Sequence, residues 1–269
     1  MIITRLIGGL GNQMFQYAAA RRLAHVRQTQ LKLDISGFHD YPLRSYLLHH
    51  LNIVAELATE QENNAMKALW HVRESHFQFD PEILNLGSDL YLDGYWQTTK
   101  YFADIEPLIR AEFMVKQLPG RRNRKLAGRI RACEAVAVHF RRGDYVTNPV
   151  TNQYHGLCPL DYYFRAIAVI AARVRQPVFF IFSDDGQWVQ QNIGLGFPFE
   201  IVTHNAEQPT QDLRLMSLCQ HHIIANSSFS WWGAWLAPHP GKIVVAPKRW
   251  FRNEQINTAD LCPEDWILQ

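Results

Sequence analysis

Two arginines and an aspartate directly follow an apolar segment in the stretch AVAVHFRRGDYV at residues 135–146. The guanidinium group of arginine keeps its proton and holds phosphate oxygens in a planar, two-pronged geometry. Arg141 and Arg142 are therefore candidates to bind a diphosphate. The alternative is an ion pair with Asp144 that ties down a loop. Asp144 suits only one of the two arginines well, so we expect the other to face an anion.

A second polar group stands at Asn226, Ser227 and Ser228, where an apolar run passes into a predicted helix. Backbone N–H groups at a helix N-terminus favour an anion, and small side chains leave them accessible. The alternative is helix capping by a serine, which is compatible with a bound phosphate. The tryptophans that follow recur at helical spacing and are predicted to pack in the core: Trp231, Trp232 and Trp235.

The stretch FSDD at 182–185 places two carboxylates after another apolar run. They suit the hydroxyl groups of a ribose or the N–H groups of a base. The alternatives are a metal-binding pair and a helix cap by Asp184 or Ser183. Because the arginines already neutralise a diphosphate, we predict no metal site.

A glycine-rich turn, IGGLGNQMF at residues 7–15, leads from a predicted strand into a predicted helix. Met14 stands where a dinucleotide-binding fingerprint has its third glycine, so the motif is weak in that sense. What remains is a loop that brings backbone close to a ligand, with Asn12 and Gln13 as amide donors. The alternative is an ordinary tight turn.

The stretch YLDGYWQTTKYF at residues 91–102 combines aromatic faces with polar tips. Aromatic rings of this kind stack on the C–H groups of a sugar ring. The alternative is a buried aromatic cluster.

The elements that must position these residues alternate between strand and helix. Strands are predicted at 2–7, 30–35, 90–96, 134–140, 177–182, 199–204, 222–226 and 242–247. Helices are predicted at 12–27, 60–72, 99–112, 159–175, 186–193, 210–221 and 228–237. This alternation predicts mainly parallel sheets, with polar residues gathered beyond the carboxyl ends of the strands. The segment 146–158 is interpreted as a loop that orders over a ligand as a lid.

Composition narrows the class of protein. The 269 residues are 47% hydrophobic and carry a formal net charge of +2, which predicts a folded core and no nucleic-acid partner. The four cysteines form no metal-binding or disulfide pattern. The basic stretch 120–131 is interpreted as a solvated face, with weak peripheral attraction to an acidic membrane surface as the alternative. Without a signal peptide or spanning segment, the chain is expected to be cytoplasmic, or at the inner face of the membrane.

Four motifs in order resemble those of glycosyltransferase family 11, the α-1,2-fucosyltransferases, here of the bacterial type. They are GGLGNQMFQYA at 8–18, HFRRGDYV at 139–146, FSDD at 182–185 and HHIIANSSFSWWGAWLA at 221–237. GYWQTTKYF at 94–102 also resembles the family's middle segment. The resemblance runs from residue 2 to about residue 250.

The resemblance implies an α/β fold of the GT-B-like kind, with two Rossmann-like domains facing a cleft. We place an N-terminal α/β domain at 1–128, on the acceptor side and carrying the glycine-rich loop 8–13. A C-terminal nucleotide-binding domain follows at 129–269, and its tail packs back on the first. The implied reaction is inverting transfer from GDP-β-L-fucose to the 2-hydroxyl of a terminal galactose, without metal or other cofactor. The implied acceptor is a lactose-type, lacto-type or O-antigen oligosaccharide.

The residue roles are then hypotheses on matching positions. Arg141 stabilises charge on the β-phosphate, Asp144 is the first choice of general base, and Asn12 holds donor or acceptor. Proton transfer to water or phosphate is the alternative to a side-chain base. The proposed donor-binding residues are Gly9, Gly11, Asn12, Gln13, His139, Arg141, Arg142, Asp184, Asp185, His221, Asn226, Ser227, Ser228 and Phe229. The proposed acceptor-binding residues are Tyr95, Trp96, Gln97 and Asp144.

Three other functions compete with this interpretation. The first is a fucosyltransferase of another linkage, such as α-1,6, which shares the paired arginines but not the whole SSFSWWGA run. The second is a non-catalytic protein that binds nucleotide sugars or glycans, which turnover on GDP-fucose would separate. The third is a dinucleotide-dependent oxidoreductase, disfavoured by Met14 and by the paired arginines.

Overall fold

The computed structural model describes residues 1–40 and 43–269, and the chain divides into two compact units. The first unit comprises residues 1–116 with 256–263, and the second comprises 117–255 with 264–269. The division thus falls at 116/117, ahead of the 128/129 expected from sequence. The reason is that the helix at 121–131 packs Leu126 and Ile130 into the core of the second unit. The return segment 256–263 is held within the first unit, where Asp260 accepts a hydrogen bond from the Phe79 N–H at 3.1 Å.

The first unit is an α/β structure with one parallel sheet. Its strands are β1 Ile2–Arg5, β2 Leu31–Asp34, β3 Glu56–Leu57, β4 His71–Arg73 and β5 Leu90–Asp93. Its helices are α1 Leu10–Val26, α2 Glu60–Trp70 and α3 Glu106–Glu112. Short 3-10 turns lie at Ser36–Phe38, Leu48–His50, Pro81–Asn85, Thr99–Tyr101 and Ala103–Ile105. The strand order β3-β2-β1-β5-β4 brings the ends of β1 and β5 together.

Several parts of the first unit differ from the sequence prediction. The edge strands β3 and β4 were not predicted, because strands of two and three residues with exposed ends carry no clear alternation. The helix predicted at 99–112 is instead two 3-10 turns followed by α3, which starts at Glu106 with Pro107 in its first turn. Proline lacks the N–H that a longer helix would need at this position, so the α-helix begins there.

The second unit holds a six-stranded parallel sheet in the order β11-β10-β9-β6-β7-β8. Its strands are β6 Glu134–Phe140, β7 Pro177–Ser183, β8 Phe199–Val202, β9 His221–Ile223, β10 Val244–Ala246 and β11 Ile267–Leu268. Its longer helices are α4 Arg121–Arg131, α7 Leu160–Ala171, α9 Pro209–Ser217 and α10 Ser228–Leu236. Its shorter helices are α5 Gly143–Thr147, α6 Pro149–His155 and α8 Gly186–Asn192.

Alternate residues of the central strands enter two separate cores of the second unit. Val136 and Val138 of β6 pack on one face of the sheet, whereas Ala135 and Ala137 pack on the other, beneath α4. Burial on both faces explains the nearly continuous apolar sequence of β6. The three tryptophans of α10 are buried, which confirms their predicted core role. The ring centres of Trp231 and Trp266 are 5.4 Å apart. In the described parts of the chain, no helix has the length and apolar character needed to cross a membrane.

His222 is a titratable group buried within the second unit. Its side chain is fully buried on β9, and burial, reinforced by the nearby Lys242, lowers its pKa to about 3. Because the folded pKa lies below the unfolded value of about 6.5, the unfolded chain binds the proton first on acidification. This group's contribution to stability is therefore intact above about pH 6.5 and is lost as the pH falls toward 3.

We predict that His222→Leu flattens the pH dependence of stability on the acid side. Between pH 6.5 and pH 5 the wild type should lose about 2 kcal/mol through this group, and the variant should not. Urea unfolding at the two pH values measures the difference. His25→Leu, at an exposed site, is the matched control. Equal slopes for wild type and His222→Leu would show that burial of this ring does not limit acid stability.

Candidate active site

The polar residues after β6 and β7 meet because these two strands are paired in parallel. His139 lies opposite Phe182 and Phe140 opposite Ser183, so both strands end at the same edge of the sheet. The arginines at 141–142 and the aspartates at 184–185 follow directly. The sequence prediction of one cluster at this edge therefore holds for these four side chains.

Arg141 is held by two carboxylates. Its Nη1 donates to Asp184 and its Nη2 donates to Asp144, and its guanidinium also lies 5.1 Å from the ring centre of Tyr145. Burial alone would lower the pKa of this guanidinium, but Asp184 and Asp144 raise it above its ordinary value. The guanidinium is therefore always charged, and the two carboxylates fix its orientation. Two of the five N–H groups that a guanidinium carries bond to these carboxylates, and the side chain of Tyr145 is a further hydrogen-bond partner.

Arg142 is also paired, which corrects the expectation that one arginine would be left to face an anion. Its Nε donates to Asp185 at 3.1 Å, and its guanidinium stacks on Trp188 at 3.6 Å from the ring centre. The local Asp144 pairs with Arg141, three residues before it. That Asp184 and Asp185 would pair with these two arginines was not predicted from the sequence.

Gly143 is required where the chain turns past Asp184. A Cβ atom on this residue would lie 2.6 Å from Asp184 Oδ2. The same carboxylate accepts the Arg142 backbone N–H at 2.8 Å. It therefore stabilises the turn that orients Arg141 and Arg142. Asp185, rather than Asp184 or Ser183, caps the following helix α8 by accepting the Trp188 N–H at 3.1 Å.

His139 lies beneath this cluster at the end of β6. Its side chain is 4% exposed, and its ring centre is 5.7 Å from that of Phe229 in the first turn of α10. Burial lowers its pKa to about 4, so the ring is neutral at physiological pH. Among the described residues its buried Nδ1 has no hydrogen-bond partner, which is unfavourable in a folded core unless a polar group joins it.

Asn226 is used to hold the protein together, in contrast to its predicted contact with a donor. Its Nδ2 donates to the carbonyl groups of His155, Gly156 and Trp250 at 3.1–3.2 Å. Its Oδ1 accepts from the thiol of Cys158 at 3.3 Å. With its side chain 2% exposed and both polar atoms engaged, Asn226 fixes the segments around the start of α10.

The N-terminus of α10 carries the two predicted serines. Ser227 is the N-cap residue, but its side chain makes no capping hydrogen bond, so the serine cap considered from the sequence is absent at this position. Ser228 is the first helical residue, and Phe229 follows it. This end of α10 lies beside His139 through the ring of Phe229.

His221 does not join the cluster. It is the first residue of β9 and pairs in register with Val136, near the amino end of β6. Its Nδ1 accepts the Ile243 N–H at 3.0 Å, a contact between strand ends. Because parallel strands share one direction, this places His221 toward the opposite edge from Arg141, so this geometry does not support its predicted donor contact.

The segment 146–158 is largely helical, which corrects its interpretation as a loop. The last residues of α5 and the whole of α6 occupy most of it, and Asn148 caps α6 by accepting the Thr151 N–H at 3.1 Å. Pro149 at the first helical position suits this start. The rings of Tyr145 and His155 stack at 4.8 Å, which ties the two helices together.

In the first unit, the glycine-rich turn joins β1 to α1. Gly8 has φ of +77°, and a Cβ there would lie 2.5 Å from Asn12 Nδ2. Gly9 is the N-cap of α1, and Gly11 is buried in its first turn. Gln13 is fully buried. Its Nε2 donates to the carbonyl groups of Gly8 and Ser45, and its Oε1 accepts the Leu47 N–H. Gln13 therefore fastens the turn and is not placed to bind a ligand.

The aromatic residues predicted to stack on a sugar ring are only partly exposed. Trp96 is buried against Tyr101, so for this residue the alternative of an aromatic core is correct, whereas Tyr95 is 36% exposed. Gln97 Nε2 donates to Asn12 Oδ1 at 2.9 Å, which links this turn to the glycine-rich turn. Trp96 has φ of +56°, a strained value for a large side chain.

Glu74 secures this strained turn and was not found from the sequence. Its carboxylate accepts the N–H groups of Tyr95 at 2.7 Å and Trp96 at 2.9 Å, and burial raises its pKa. No local motif marks a lone glutamate after a short edge strand. Among the described residues, no group of three or more histidine, cysteine, aspartate or glutamate side chains is arranged to hold a metal ion.

The fold is GT-B-like, an α/β architecture with two Rossmann-like domains, as predicted. The crystal structure of fucosyltransferase NodZ from Bradyrhizobium has a TM-score of 0.53 to this chain, at 15% sequence identity. The match covers 88% of this chain and 93% of that one.

All 269 residues match the sequence model of Glycosyl transferase family 11, and the chain belongs to that family. An alpha-1,2-colitosyltransferase of Escherichia coli is 36% identical, over 99% of this chain and 98% of that protein. The O-antigen biosynthesis glycosyltransferase WbnK of Escherichia coli is 33% identical, over 97% of this chain and 98% of that protein. The family indicated by the four motifs is therefore confirmed.

We predict that Gly143→Ala destabilises the second unit by about 1–3 kcal/mol, as is typical of overpacking. The new methyl group can be accommodated only if Asp184 moves and releases Arg141 and the Arg142 N–H. Gly128→Ala is the control, because a Cβ there meets nothing within 4 Å and alanine is the better helix former. Thermal unfolding should show a lower midpoint for Gly143→Ala and an equal or higher one for Gly128→Ala. An unchanged midpoint for Gly143→Ala would contradict the tight approach to Asp184.

Proposed function

We propose that the protein transfers L-fucose from GDP-β-L-fucose to the 2-hydroxyl of a terminal galactose, with inversion and without a metal ion. The observation that carries the proposal is Arg141, a partly buried guanidinium held by Asp144 and Asp184 at the carboxyl edge of a parallel sheet. That edge is where α/β sheets bind ligands. Family membership and the motif resemblance to α-1,2-fucosyltransferases support the donor and the linkage.

Arg141 acts on the charge that develops as the donor breaks. The bond between fucosyl C1 and the β-phosphate oxygen breaks while the galactose oxygen bonds to C1, so negative charge grows on GDP. A guanidinium fixed in advance by two carboxylates stabilises that charge without reorganising during the reaction. The proton of the galactose hydroxyl passes to Asp144 or, as the alternative, to water or phosphate.

The neighbourhood of Arg141 also favours a specific ligand over anions in general. Three carboxylates face the two guanidiniums, so the cluster has no excess positive charge to attract anions at long range. Recognition then depends on placed donors: the remaining N–H groups of Arg141 and the start of α10. The neutral, buried His139 offers a ring nitrogen to a polar group of the nucleotide.

Colitose is the second candidate for the transferred sugar. This sugar is L-fucose without its 3-hydroxyl, and the relative at 36% identity is an alpha-1,2-colitosyltransferase. The two donors share the nucleotide, and hence the same demand on Arg141. The name of WbnK favours an O-antigen unit over a free oligosaccharide as acceptor. Asn12, Tyr95 and Gln97 of the first unit remain our candidates for the acceptor side.

Replacement of Arg141 tests the proposal. Arg141→Lys keeps the charge but loses the forked geometry, and we expect kcat to fall about 100- to 1000-fold, the typical effect of losing one charge-stabilising donor. The assay is release of GDP from GDP-fucose in EDTA, with and without lactose. Arg165→Lys, in an exposed ion pair with Asp161, is the control.

Each outcome of this assay is informative. Lactose-stimulated, chelator-resistant release that is lost in Arg141→Lys and kept in Arg165→Lys supports the proposal. Turnover that EDTA abolishes contradicts the metal-independent mechanism. Binding of GDP-fucose without transfer to any galactoside in a panel would favour a non-catalytic binding protein.

The choice of donor gives a separate prediction. With one galactoside acceptor, we expect kcat/KM for GDP-fucose to exceed that for GDP-colitose by at least about tenfold. A site that hydrogen-bonds a hydroxyl group discriminates against the analogue that lacks it. NMR of the product then identifies the linkage. The reverse preference would make colitose the natural sugar, and an α-1,6 product would exclude the proposed linkage.

A further inference from the structure

The exposed face of α4 concentrates positive charge on the second unit. Six of its eleven residues are basic, none is acidic, and all six are exposed: Arg121, Arg122, Arg124, Lys125, Arg129 and Arg131. The buried side of the same helix is formed by Asn123, Leu126, Ala127 and Ile130. The six therefore share one surface, about 16 Å long, which we call the basic face.

Among the described residues, one ion pair is formed by these six side chains. Arg129 pairs with Glu200 at 2.5 Å, and Arg124 donates to the Pro119 carbonyl at 2.7 Å. Neither of these contacts involves Arg121, Arg122 or Lys125. The whole chain carries a formal net charge of only +2, so the basic face is a local feature and not a sign of general basicity.

The charges in the first turn of α4 oppose helix stability, whereas Arg129 and Arg131 in its last turn are favourably placed. A helix N-terminus carries partial positive charge and favours acidic residues. The first turn of α4 has no acidic residue and begins with Arg121 and Arg122, and its N-cap Gly120 supplies no side-chain cap. Like charges at a spacing of four residues, as in Arg121 and Lys125, repel one another as well. A segment that departs from local stability in this way is expected to serve a function.

An apolar side chain stands immediately before the basic face. Leu118 is 83% exposed, although hydrogen bonds fix the backbone on both sides of it. Arg214 donates to the Gln117 carbonyl at 2.6 Å, and Arg124 donates to that of Pro119. The leucine is thus presented to solvent by an anchored segment.

From these observations we propose that the basic face of α4 docks the protein on an anionic lipid membrane, with Leu118 entering the interface. Clusters of four to eight lysine and arginine residues on one helical face match the surface charge of acidic lipids. The apolar side of α4 is already buried, so attraction is mainly electrostatic and should weaken with salt. The helix α4 contains no aromatic residue that could stack on nucleic-acid bases, which favours lipid over single-stranded nucleic acid.

Vesicle co-flotation of the full chain tests this surface. The test variant is Arg121→Gln/Arg122→Gln/Lys125→Gln/Arg131→Gln. The control removes four exposed charges elsewhere on the same unit, Arg165→Gln/Arg173→Gln/Lys248→Gln/Arg249→Gln, so both variants change the net charge equally. Vesicles of phosphatidylglycerol with phosphatidylcholine are compared with phosphatidylcholine alone. We expect the test variant to lose at least about 100-fold in partitioning and the control to lose less than about threefold.

Further readouts separate docking from misfolding and from other partners. Removing like charges from the helix start should leave the unfolding midpoint equal or higher, and GDP release with a soluble acceptor should be unchanged. Leu118→Ser should weaken binding to anionic vesicles severalfold. Equal partitioning of test and control variants, or no binding of wild type to anionic vesicles at about 0.1 M salt, would overturn the proposal. So would vesicle binding by Leu118→Ser at wild-type strength, or a labelled RNA strand that binds while anionic vesicles do not.

Discussion

The partly buried guanidinium of Arg141 is the constraint that determines the residues around it in the second unit. A charge removed from water is tolerated only when partners surround it, and breaking one such pair leaves the other charge uncompensated. Here the partners come from two places in the chain: Asp144, three residues later, and Asp184, at the end of the neighbouring strand. The parallel register of β6 and β7 brings the second partner within reach, so the pairing depends on the sheet.

The same constraint determines residues that carry no charge. Gly143 has no side chain because the Asp184 carboxylate occupies that space. Trp188 supplies the surface on which Arg142 stacks, and Asp185 caps the helix that carries Trp188. Neighbouring requirements therefore support one another: the cap that starts α8 is also the counter-ion of Arg142. Consistency of this kind gives a sequence one preferred arrangement of its site.

Most of the second unit could be predicted from sequence because its signals are local or periodic. β6 was predicted at its observed bounds, and the meeting of strand ends follows from parallel pairing alone. The errors concern partners. Asn226, Gln13 and His221 are residue types that bind ligands elsewhere, but here each of them also bonds to a backbone group more than twenty residues away. No spacing rule encodes those contacts, because they exist only after the loops have folded.

Candidate functional residues can nevertheless be distinguished from structural ones by the hydrogen bonds that their polar atoms already make. Asn226 and Gln13 bond through both the oxygen and the nitrogen of their amides, so a ligand would have to displace structural contacts from them. Two carboxylates and Tyr145 fix Arg141 without engaging all five of its donors, and the buried Nδ1 of His139 has no partner in the described part of the chain. Donors that are both fixed and not yet fully used favour catalysis, because their orientation is set before the substrate arrives. By this criterion we propose that the site centres on Arg141 and His139, with the surrounding amides holding the segments around them.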